Sequence, residues 1–119
     1  MKNKVLTKTD SSSGVPEIHP KDLNEVLDEV HIIDVRRPEE FNNELGHVPG
    51  ARLVTLGPEL EKELENLEKN KEVVFTCRSG ARSGHATLFA LEMGFESVAN
   101  LTGGMILWNQ LKLPVAREK

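Results

Sequence analysis

The sequence predicts an α/β fold: a mainly parallel central sheet with helices on both faces. Three observations carry this. Short, β-branched apolar runs (HIIDV at 31–35, EVVFT at 72–76 and SVANL at 97–101) have the length and composition of buried strands. Stretches with apolar residues at helical spacing alternate with them. The links between are short and rich in Pro, Gly, Asn and Asp.

Residues 1–15 are polar and rich in Ser, Thr and Lys, and read as a flexible N-terminal segment ahead of one domain at 16–119. In EIHPKDLNEVLD, Pro20 suits a first helical turn, and Leu23, Val26 and Leu27 recur on one face. HIIDV follows as a strand. RRPEEFNNE is a short helix opened by Pro38, with Glu39 and Glu40 near its positive end. GHVPGA (46–51) is a turn, and LVTL (53–56) a short strand. PELEKELENLEKN puts Leu60, Leu64 and Leu67 on one helical face. After the strand EVVFT, the helix RSGHATLFALEMG carries Ala86, Phe89, Ala90 and Met93 at i, i+3, i+4, i+7, and Gly94 ends it. SVANL is the third clear strand. TGG turns the chain, and MILWNQLKL is the last helix before Pro114.

A chain of 119 residues, 38% hydrophobic and 29% charged, suits one domain that buries roughly two thirds of its unfolded surface. Its single cysteine cannot form an internal disulfide. No pair among His19, His31, His47, His85 and Cys77 has metal-ligand spacing, so neither a metal nor another cofactor is expected. A net charge of −4 argues against broad nucleic-acid binding. No apolar run approaches ~18 residues, so no membrane span is expected. The start lacks the apolar segment and cleavage site of a secretory signal, and the chain reads as cytoplasmic.

In parallel sheets, ligands bind beyond the carboxyl ends of the strands. The strand 72–76 ends at Cys77, in VVFTCRSGARS. Gly80 permits a positive φ in the turn 77–83. Successive backbone N–H groups, from Arg78 through Ser79, Gly80, Ala81 and Arg82, are then expected to face the sulfur. A helix starting near Arg82 or Ser83 adds the positive end of its dipole. With the charges of Arg78 and Arg82, all of this favours thiolate over thiol, below the usual value of about 8.5. The pattern predicts a nucleophilic cysteine in an anion-binding pocket. The alternative is that Cys77 is a small buried hydrophobe. A phosphatase of the Cys–five residues–Arg type needs its arginine at position 83, which is Ser83; the arginine stands one place early, at 82. The smaller ring suits one transferred sulfur atom.

These residues resemble the single-domain rhodaneses, sulfurtransferases that use thiosulfate or persulfides. CRSGAR resembles the family's six-residue active loop, IIDVRRPEEF its DVR-and-acidic segment, GHVPGA its GHIPGA turn, and LTGGMILWNQLKLPV its Gly-Gly…Trp…Pro stretch. The likeness runs from about Pro16 to Val115. Two departures stand out: FNNELGHVPGA is about two residues longer than usual, and MILW follows Gly104 where an aromatic residue is common. The resemblance implies a rhodanese-like domain and ping-pong chemistry. The Cys77 thiolate takes a sulfur from a small anionic donor, and cyanide, glutathione or a protein thiol removes it. No resolving cysteine exists, so the acceptor comes from outside.

Around this centre, Arg82 is expected either to contact the sulfonate of a donor or to shape the loop by pairing with a carboxylate. Arg78 either attracts the donor or faces solvent. Ser79 acts through its N–H, and Ser83 as a helix N-cap. Asp34 and Arg36 are expected to pair and support the loop, and His47 to stabilise its turn. His85 is expected to be a neutral bystander, and Trp108 and Phe89 to be core. ELEKELENLEKNKE (59–72) reads as a solvated helix face. Against the enzyme stand a non-catalytic interaction or persulfide-sensing module on the same fold and, less well matched, a phosphatase or an arsenate-type reductase.

Overall fold

In the computed structural model, which describes residues 5–117, the strands are β1 (Thr9–Asp10), β2 (Glu17–Ile18), β3 (His31–Asp34), β4 (Arg52–Leu53), β5 (Glu72–Thr76) and β6 (Ser97–Leu101). The helices are α1 (Pro20–Asn24), α2 (Pro38–Phe41), α3 (Pro58–Asn66), α4 (Ala81–Glu92) and α5 (Gly104–Gln110). The strands form one sheet in the order β1-β2-β6-β5-β3-β4. Only the β1–β2 pair is antiparallel; the other pairs are parallel.

Alternation along β5 assigns the two faces. Val73 and Phe75 point with Ile33 and Val98 toward Leu60 and Leu64 of α3 and Ala86 and Ala90 of α4. Val74 points with Ile32, Ala99 and Leu101 toward Leu23 of α1 and Met105 and Trp108 of α5. Val73, Val74 and Phe75 are all fully buried, each stabilising the fold by about 1.5–3 kcal/mol. This double burial is why β5 and β6 read as unbroken apolar runs rather than alternating ones. Position 77 continues the Val73–Phe75 face, so Cys77 lies on the α4 side of the sheet.

The three clear strands stand where the pattern puts them. Several other elements are shorter. α1 stops at Asn24, although Val26 and Leu27 still pack on the core. β4 covers Arg52–Leu53, and beyond it Val54 and Leu56 still donate to the carbonyls of Asp34, in the neighbouring strand β3, and of Val35 just after it. Contacts also reach into the stretch that composition assigns to a flexible tail. Leu6 is buried, the Val5 and Leu6 amides donate to the Glu72 carboxylate, and β1 edges the sheet. Residues 1–4 of that stretch lie outside the described residues. No described helix is long and apolar enough to cross a membrane.

Candidate active site

Beyond Thr76 the chain leaves the sheet and turns back within four residues. Gly80, at φ +106°, makes the turn and caps α4, which begins at Ala81, one residue ahead of the expected Arg82 start. The turn aims donors at one atom. The Gly80 amide donates to Cys77 Sγ at 3.1 Å, the Ser83 amide lies at 3.4 Å, and the Ser83 hydroxyl at 3.3 Å. The donors acting on the sulfur are thus Gly80 and Ser83, with a lesser contribution from the Ser79 amide, rather than the whole run Arg78–Arg82.

Cys77 is only 1% exposed and its flank packs in the apolar cluster under α4. Its sulfur nevertheless faces polar donors. Burial pushes the thiol up; the Ser83 hydroxyl and the Ser83, Gly80 and Ser79 amides outweigh it, so the thiol ionises below its ordinary value. The cradle therefore prefers the anion although it is buried.

Amides can face inward only if the loop's carbonyls face outward and find partners. α5 supplies them. Met105 N–H donates to the Cys77 carbonyl at 2.9 Å and Ile106 N–H to the Arg78 carbonyl at 3.0 Å. This close approach explains LTGG. Gly103 and Gly104 both have positive φ, and a Cβ on Gly104 would lie 2.6 Å from both carbonyl oxygens. Sequence reasoning read these glycines only as a turn; the contact of Gly104 with Cys77 and Arg78, far away in sequence, was not visible there.

The Arg82 guanidinium grips the Glu40 carboxylate of α2 with two bonds, at 2.8 and 3.0 Å. This is the pairing with a carboxylate that is one of the two contacts expected of it. Arg82 in turn holds the Glu40 carboxyl down to about 2. Arg78 and Ser79 are exposed at the rim, and Ala81 starts α4 on its outer side. Ser83 is not the N-cap expected of it: it is the third helical residue, and its hydroxyl is turned to Sγ and to Asn100 Oδ1.

Asp34 and Arg36 are fully buried and joined by Nε and Nη2 bonds of 2.7–3.1 Å. Arg36 Nη2 also donates to the Gly46 carbonyl, while Nη1 has no partner among the described residues. Asp34 pairs in register with Thr76, so this ion pair braces the sheet edge from which Cys77 departs. His47 is buried, stacks on Phe41 at 3.7 Å, and places Nδ1 2.9 Å from the Phe41 carbonyl. These contacts tie the turn 46–51 to Phe41 at the end of α2. His85 is exposed, and Trp108 is core.

Asn100 was overlooked by sequence reasoning. It is a buried amide on β6, opposite Phe75 in register and on the Cys77 face. Its signal was an amide side chain among the small and apolar residues of a buried run.

Residues 19–111 match the rhodanese-like domain family. The chain is 40% identical over 88 residues to the protein YtwF of Bacillus subtilis, spanning 74% of this chain and 82% of that one. It is 33% identical over 104 residues to a sulfurtransferase of Allochromatium vinosum, spanning 85% and 94%. A crystal structure of a rhodanese-related protein from Thermoplasma volcanium matches with a TM-score of 0.76 at 27% identity, covering 86% of this chain and 98% of that one.

Proposed function

The chain belongs to the rhodanese-like sulfurtransferase family, and on that premise we propose that it moves sulfane sulfur from thiosulfate or a persulfide donor to a thiophilic acceptor through a persulfide on Cys77. The observation that carries this reading is the convergence of the Gly80 amide, the Ser83 amide and the Ser83 hydroxyl on one sulfur within 3.4 Å.

The Cys77 thiolate attacks the outer sulfur of thiosulfate. The sulfur–sulfur bond of the donor breaks, and sulfite leaves with its electron pair. The new persulfide carries its charge on the terminal sulfur, where the loop donors and the loop arginines offset it. Cyanide, glutathione or a protein thiolate then attacks that terminal sulfur, and the electron pair returns to Sγ. No oxidant or metal is consumed, and the thiolate needs no separate base. We place the reaction in the cytoplasm, where a lone thiol stays reduced.

The test is intact mass after thiosulfate or glutathione persulfide treatment. Wild type gains one sulfur atom and forms thiocyanate with cyanide; Cys77→Ser does neither. Because Cys77 is nearly buried, the same measurement tests access. A wild-type chain that takes up no sulfur from either donor overturns the enzyme and leaves the interaction or sensing module.

A further inference from the structure

Ser83 has one hydroxyl proton and two claimants for it. Its Oγ lies 3.3 Å from Cys77 Sγ and 2.5 Å from Asn100 Oδ1. The Asn100 amide is held in its orientation. Its Nδ2 faces the Gly80 carbonyl at 3.0 Å and Glu17 Oε2 at 3.2 Å, both acceptors. Flipping the amide would set Oδ1 against both. Oδ1 therefore always faces Ser83.

We propose that Asn100 is a positioning residue that competes with Cys77 for the Ser83 hydroxyl proton, and thereby limits how strongly the resting thiolate is stabilised. With Cys77 as the thiol, S–H donates to Ser83 Oγ and Ser83 O–H donates to Asn100, so every proton has an acceptor. When the sulfur ionises, the Ser83 hydroxyl rotates to it, and Asn100 Oδ1 loses its donor. The amides of Gly80 and Ser83 favour the anion in either case; Asn100 opposes them. Taking the proposed function as given, the consequence is kinetic. A thiolate stabilised less by hydrogen bonds is a stronger nucleophile. Once the persulfide forms, the charge moves off Sγ and the hydroxyl returns to Asn100.

The charged groups around this centre include Arg78 at the loop rim, the Arg82–Glu40 pair from α4 and α2, the Asp34–Arg36 pair at the end of β3, and Glu17 on β2. Asn100→Leu removes one donor from Glu17, but it does so equally in the wild-type and Ser83→Ala backgrounds, so the comparison between backgrounds cancels that change.

The chain has one cysteine and no tyrosine, so ultraviolet thiolate absorbance reports Cys77 alone and needs no reagent to reach it. The titration is run on wild type, Asn100→Leu, Ser83→Ala and the double variant. Asn100→Leu is expected to lower the Cys77 midpoint by about half a unit or more, and to do nothing in the Ser83→Ala background. An equal shift in both backgrounds means that Asn100 acts by shaping the loop and overturns the proposal, as does no shift in either. Asn100→Ala carries the same comparison if the Leu variant does not fold. Sulfur transfer is not part of this readout, so its result stands apart from the mass test above.

Discussion

The Met105 amide donates to the Cys77 carbonyl at 2.9 Å, so the reactive loop is shaped from behind by the first turn of α5. That contact depends on Gly104. Gly104→Ala sets a Cβ 2.6 Å from the Cys77 and Arg78 carbonyl oxygens at a φ of +56°. The variant is expected to be less stable by about 2 kcal/mol in urea unfolding. Its sulfur uptake should fall by about tenfold or more, because misplaced carbonyls turn amides away from Sγ.

The Cys77 titration has a defined sign. Its ionisation midpoint lies below the ordinary thiol value, because hydrogen bonds to the anion outweigh burial. A depressed acid stabilises the folded state fully above its unfolded value, and that contribution is lost as pH falls through the folded midpoint. Thiolate absorbance should therefore rise below about pH 8.5, and Ser83→Ala should move the midpoint upward. A wild-type midpoint at or above about 8.5 contradicts the cradle.

Arg82 separates two kinds of action. If it shapes the loop through Glu40, then Glu40→Gln should reduce donor turnover in parallel with Arg82→Ala, each by about tenfold, and both by more than Ser79→Ala. Retained turnover in Glu40→Gln alongside loss in Arg82→Ala would show that the guanidinium meets the donor directly. Steady-state thiocyanate formation distinguishes them.

The same pair sets an acid limit. With the Glu40 carboxyl held down to about 2 against an ordinary 4.5, its stabilising effect is complete above about 4.5 and disappears as pH falls toward about 2. The acid limb of stability should flatten in Arg82→Ala, read by urea midpoints across that range.

Asp34→Ala leaves the Arg36 guanidinium fully buried with its carboxylate partner removed. The expected loss is about 3–5 kcal/mol, visible as a large drop in urea midpoint. A change below about 1 kcal/mol would mean that water replaces the carboxylate at this edge.

Much of this molecule was legible from residue order. EVVFT and SVANL are recognisable because both faces of their strands are covered, so most of their side chains are apolar or small. Cys77 was recognisable because a thiol at the carboxyl end of such a strand, followed by a glycine, has a local meaning. β1 and β2 were not legible. Two residues each carry no periodicity, and the pairing of β2 with β6, on which β1 in turn edges, spans more than eighty positions. The end of α1 was missed because Val26 and Leu27 bury apolar surface equally well in the turn that follows it.

The sequence by itself determined the sheet, its helical cover and the position of one thiol where a parallel strand meets a helix. Those follow from short-range periodicity and from the backbone freedom of Gly80. Only the tertiary structure decided what surrounds that thiol: the outward pull of α5 on its carbonyl, the Glu40 clamp on Arg82, and the Asn100 amide behind Ser83. Each joins segments distant in the chain. A hydrogen bond depends on separations of a few ångströms, and residue spacing carries no such information until the strands are packed side by side.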